Sequence, residues 1–138
     1  MHIDLAEVVA EVSIAFERYQ KALGDNDTAT LNQLFWDDPR TVRYGGGENL
    51  YGYAAITAFR SARAAVGPSQ QSGTVITTFG RDFAVASTLF HRSGWQTKVG
   101  RLMQTWVRVE TGWRIVAAHV SVIDLAAPPS LPLAPSCI

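Results

Sequence analysis

Arg43 stands between Val42 and Tyr44 in the run TVRYGGGENLYGY, residues 41–53, which then breaks into three glycines and Glu48. A buried guanidinium without a partner costs several kcal/mol. Arg43 therefore either points to water or sits in a cavity that expects an anion. It shares its strand side with Thr41, opposite Val42 and Tyr44, and Gly45 to Gly47 are expected to turn Glu48 toward the cavity mouth. Tyr19, Arg60, Arg63 and Arg101 also fall at semi-buried positions of their periodic segments. Gln104 shares a strand side with Leu102, Trp106 and Arg108, and His119 shares one with Ile115 and Ala117. A planar guanidinium binds a carboxylate at two points, and a phenol beside it supplies a proton. Together these residues suit chemistry on a small anion. Each also has a plainer reading: snorkelling or ion-paired arginines with Asp37, Asp38 or Glu48 as partners, a core tyrosine, a solvent-facing ladder at Gln104 and Trp106, and a core histidine. The residues themselves leave both readings open.

Several chemistries lack their residues. His2, His91 and His119 are scattered, and no Cys, His or carboxylate cluster has metal-ligand spacing. GGGENLYG fits neither the dinucleotide nor the phosphate-loop pattern, and no nucleophile elbow is present. Any activity is expected to need neither cofactor nor metal. The 138 residues carry twelve basic and twelve acidic side chains, so no global field steers the chain to nucleic acid or a membrane surface. The acidic, amphipathic start MHIDLAEVVAEV lacks the pattern of a secretory signal. The single Cys137 has no internal partner and is a poor candidate nucleophile; a cytoplasmic protein is expected.

The elements that must position these side chains are legible. Leu5, Val8, Val12, Phe16, Tyr19 and Leu23 recur at helical spacing, with Asp4 as expected N-cap and Gly24 as the stop. A short helix is expected from Asp27 or Thr28, a strand over 41–44, and a third helix from Tyr53 to Val66 with Arg60 and Arg63 bordering its apolar stripe. GPSQQSG reads as loop. TVITTFG, FAVASTLFHR, KVGRLMQTWVRVE and WRIVAAHVSVI then form an antiparallel meander, separated by turn signals. This order predicts one α+β domain over residues 1–124, with three helices packed on a curved, mostly antiparallel sheet and a pocket between the layers. Residues 125–138 hold four of the six prolines and are expected to form an extended tail.

The run FWDDPRTVRYGGGENLYGYAAITAFRSAR, followed by TTFGRDFAVAS and GRLMQTWVRVETGWRIVAAHVS, closely resembles the AtzH-like proteins of the SnoaL/NTF2-like superfamily. The resemblance spans the first helix to Ser121. It implies an NTF2-like cone that assembles as a homodimer or homotetramer through the sheet. It also implies an enzyme that converts urea-1,3-dicarboxylate to allophanate by decarboxylating hydrolysis in cyanuric acid catabolism. The family's proposed catalytic tyrosine and arginine correspond to Tyr19 and Arg43, leaving Arg60, Arg63, Gln104, Trp106 and His119 as expected substrate contacts. Two other readings follow from the same resemblance. One is a non-catalytic accessory subunit of a partner amidase acting on a ureide such as oxalurate. The other is an isomerase-like proton transfer with Glu48 as base.

Overall fold

The computed structural model describes residues 1–126. The expected proline-rich tail thus lies, from residue 127 onward, outside the described residues.

Helix α1 (Ala6–Gly24) buries Val8, Val12, Phe16, Tyr19 and Ala22 along one stripe. Asp4 is not its cap: the cap position is Leu5, without a side-chain hydrogen bond. Asp4 instead takes a left-handed φ of 57°, and its carboxylate accepts the Thr78 N–H at 2.8 Å. The stronger demand comes from the strand, whose backbone donor would otherwise be unmet. Helix α2 (Thr28–Leu34) is capped as expected, with Asp27 accepting from the Thr30 N–H.

Strand β1 (Val42–Tyr44) and strand β2 (Asn49–Tyr51) form a hairpin across the glycines; NLY had no strand assignment from its sequence. Helix α3 (Tyr53–Ala62) ends one turn before the expected Val66. Arg63 is already extended there, and Gly67 with its left-handed φ and Pro68 prevent continuation. Strand β3 (Gln70–Phe79) begins within the segment expected to be loop. The meander continues as β4 (Phe83–His91), β5 (Lys98–Val109) and β6 (Gly112–Asp124). The six strands order as β2-β1-β6-β5-β4-β3. All neighbours are antiparallel except β1 and β6, which run parallel. The helices cover one face, and Trp106, Phe35, Leu31 and Ile115 fill the interior between the layers.

One irregularity sets the faces of the central strands. Trp106 pairs with Ile115, but Thr105 pairs with Ala117, so Val116 is an extra residue in β6. Strand side chains alternate faces, and a one-residue insertion reverses the assignment beyond it. Ile115 and Ala118 are therefore both buried, while His119 is exposed. Simple alternation had grouped His119 with Ile115, and the bulge overturns that placement. The bulge also puts Ala118 beside Arg43 in the parallel pair β1–β6 and opposite Gln104 on β5. Deleting Val116 is expected to leave a folded protein whose midpoint of thermal unfolding falls by less than about 10 °C, because Ile115 and Ala118 keep their inward side once the extra residue is gone and only the local twist of the bulge is lost. Circular dichroism melting of the deletion variant measures this.

Candidate active site

The site lies at the open end of the concave face, where α1 and α3 leave the sheet uncovered. A cavity of about 110 Å³ is lined there by Tyr19, Gln20, Arg43, Arg63, Arg92 and Leu102, among others. Each polar group arrives on a different element. Tyr19 comes from the buried stripe of α1 and is 5% exposed. Arg43 projects inward from β1, its neighbour Ala118 being too small to fill the space. Arg63 follows the end of α3, and Arg92 follows β4.

Arg43 is 8% exposed. Its Nη1 donates to Glu48 Oε1 at 3.0 Å. Glu48 thus turns back onto the arginine instead of serving the mouth alone, and the ion-pair and cavity readings of Arg43 both hold. Gly45 makes this possible, since a Cβ there would collide with the Glu48 carboxylate and stand 2.9 Å from Arg43 Nη1. The Arg43 and Arg63 guanidinium carbons both lie 5.7 Å from the centroid of the Phe59 ring, which supports two cations at once.

The remaining candidates divide. Arg60 is 5% exposed but does not line the cavity. Its Nη1 donates to Asn32 Oδ1 at 2.5 Å, and its guanidinium carbon lies 4.8 Å from the Phe35 centroid. Burial pushes its pKa down to about 10. It is a second layer of positive charge behind the site, not a wall of it. Gln104 and Trp106 are core residues: the indole N–H donates to Gln104 Oε1 at 3.1 Å, and neither side chain reaches the cavity. His119 is on the outer face, edge-on to Tyr44. Arg101 is exposed and donates to Ser121 Oγ. Arg108, expected on the side of Gln104, is exposed and paired with Asp82.

Arg92 and Gln20 line the cavity without having been expected there. Arg92 ends the strand segment FHR, where a charge reads as a solvated strand end. The available signal was its setting between Phe90 and Trp95, two aromatics near one cation.

Charge distinguishes the two hollows. Three lining arginines face one carboxylate, Glu48, so the cavity holds two positive charges in excess. Neither Arg63 nor Arg92 has a carboxylate partner among the described residues. Burial pushes both guanidinium groups below the ordinary arginine range, and Arg43 pushes Arg63 further. A wider hollow of about 430 Å³ lies near α2 and the β5–β6 turn, but there Asp37 and Glu110 accompany Arg114. Among the described residues, no group of three or more His, Cys, Asp or Glu side chains is placed to hold a metal ion. No described helix is long and apolar enough to cross a membrane.

The model of the AtzH-like family matches residues 1–126. The chain belongs to the AtzH-like family. A solved protein of unknown function from Pectobacterium atrosepticum is 58% identical, with 88% of this chain and 95% of that one covered and a TM-score of 0.85. A cystatin-like fold protein from Burkholderia xenovorans is 44% identical, covering 91% and 98% of the two chains at a TM-score of 0.87. An NTF2-like protein of unknown function from Pseudomonas putida, 19% identical over 93% and 92% of the two chains with a TM-score of 0.72, shares the fold. The α+β cone expected from the sequence is the fold of this family member. A comparison with functionally curated proteins found no match.

An empty site with excess charge should strain the fold. Arg63→Gln is expected to raise the thermal midpoint of the ligand-free protein by about 3–5 °C per kcal/mol of relieved repulsion. The sign with pH follows from Arg63's lowered pKa. The unfolded chain keeps a proton that the fold gives up, so wild-type stability gains as pH climbs toward the arginine range. The advantage of the variant should shrink there, which melting curves across pH will measure.

Proposed function

We propose that this protein is a cofactor-free enzyme that converts urea-1,3-dicarboxylate to allophanate by decarboxylating hydrolysis. One observation carries the reading: a phenol and three guanidinium groups share a small cavity whose charge excess, two, matches that of a dianion. The family membership of the chain agrees with it.

The residues supply what the chemistry needs. An N-carboxylate loses carbon dioxide when the C–N bond electrons return to nitrogen and that nitrogen gains a proton. Arg43, fixed by Glu48 and Phe59, would hold the departing carboxylate by a two-point contact. Tyr19 would deliver the proton to nitrogen and recover one from water. The balance is one dianion and one proton giving allophanate and carbon dioxide, or one dianion and one water giving allophanate and bicarbonate. Labelled water distinguishes the routes, since only water addition to the carboxylate carbon puts the label in the first-released carbon dioxide or bicarbonate. Substrate contacts on this reading come from the cavity residues Arg43 and Arg63, not from Arg60, Gln104, Trp106 or His119.

Turnover by the purified protein alone, without any amidase, separates this reading from that of an accessory subunit. Tyr19→Phe and Arg43→Ala are each expected to lower kcat by about 10²–10⁴-fold, and the double variant should be little worse than either. Near-normal turnover in a folded single variant would remove that residue from the mechanism. A cytoplasmic, homo-oligomeric protein with a functional link to an amidase completes the proposal.

Assembly has its own support. Tyr51, Tyr44, His119 and Met103 form a row across the outer sheet face, with Tyr51 62% and Met103 56% exposed. Such a face suits a second copy of the chain. Light scattering should find a dimer or tetramer, and Met103→Asp should shift it to monomer.

A further inference from the structure

The cavity's cations stand in two groups. Arg43 and Arg63 share the Phe59 ring at one side. Arg92 stands apart, its guanidinium carbon 5.0 Å from the Phe90 centroid and 5.5 Å from that of Trp95, two rings that lie 5.8 Å apart themselves. Arg92 has no ion-pair partner among the described residues, and its buried Nε lacks a hydrogen bond. Tyr19 lines the same cavity.

The position of Arg92 is built into the sheet. Phe90 pairs with Gly100 on β5, and a Cβ at Gly100 would strike the Phe90 ring. The glycine lets the ring lie flat on the neighbouring strand, and ring and indole together hold the guanidinium on the cavity wall. An arginine merely screened by solvent at a strand end has no need of this arrangement. A cation with two aromatic supports, an unused donor and no carboxylate is set to receive an anionic group from a ligand.

We infer that Arg92 is the second anion-binding pole, so that the site takes a short, linear molecule with an anionic group at each end. This deepens the function proposed above and rests on it for the first pole. It adds a residue of the β4–β5 connection to Arg43 and Arg63 as the contact for the second carboxylate, a place Arg60 does not fill because it is committed to Asn32 and Phe35. A ligand spanning Arg43 and Arg92 would pass Tyr19, which places the phenol beside the middle of the molecule, where the nitrogens of a dicarboxylated urea lie.

The test compares two stable probes, glutarate and butyrate, by isothermal titration calorimetry. Glutarate has a carboxylate at each end of a chain as long as that of urea-1,3-dicarboxylate, and butyrate has only one. The wild-type protein is expected to prefer glutarate by about 10–100-fold, the range for one added charge-assisted contact. Arg92→Gln should bring that ratio close to one, while Arg92→Lys should keep part of it; an unchanged melting curve of each variant verifies folding. If Arg92→Gln retains the wild-type ratio, Arg92 is not the second pole. Equal binding of both probes by the wild type would overturn the two-pole arrangement and leave a single-anion site. No binding of either probe would overturn this inference together with the dianion reading on which it rests.

Discussion

Burying a guanidinium group is costly, and this protein buries or half-buries four of them around one end of its sheet. Of Arg43, Arg60, Arg63 and Arg92, only Arg43 is paired with a carboxylate among the described residues, that of Glu48, while all four lie against aromatic faces. Cation–aromatic contacts offset only part of the lost hydration. The lowered pKa values of Arg60, Arg63 and Arg92 express the remainder. Much of the local architecture is understandable as a response to that constraint. Gly45 admits the Glu48 carboxylate, Gly100 admits the Phe90 ring, and Asn32 takes one Arg60 donor.

On the proposed function, the same constraint links stability to binding. The charge frustrated in the ligand-free protein would be the charge that an anionic ligand satisfies, so binding energy would be held in the fold before the ligand arrives. The phenol of Tyr19 sits within this field, on a stripe otherwise made of valine, phenylalanine and alanine. A helix whose other buried residues are apolar gives the hydroxyl little competition for a partner from its own surroundings. The cavity is small because the helices close most of the concave face, and a hollow of about 110 Å³ has room only for a small molecule.

Face assignment in the sheet shows where local reasoning stops. Alternation along β5 put Leu102, Gln104 and Trp106 on one side, and all three are buried there. Yet the polar Gln104 is used within the core, accepting from the Trp106 indole, and not at the cavity. Along β6 alternation failed after Ile115, because Val116 is the extra residue and the bulge turns His119 outward. The run IVAAH has no glycine or proline to mark a bulge; the bulge lies where β6, already paired with β5, also begins to pair with the parallel strand β1.

By itself the sequence determined the element types, the buried stripe that contains Tyr19, the inward side of Arg43 and the absence of recognisable cofactor motifs. These follow from periodicity and residue chemistry, which act over a few neighbouring positions. It also carried the family resemblance. Only the tertiary structure decided which arginines meet. Arg60 and Arg63 border the same helical stripe, but the helix ends at Ala62, so Arg60 packs onto Phe35 while Arg63 enters the cavity. Arg92 joins them from a strand end nearly thirty residues later because Gly100, on the facing strand, has no side chain to keep Phe90 away. Such long-range fits depend on the shape of the partner element, which no short window of sequence contains.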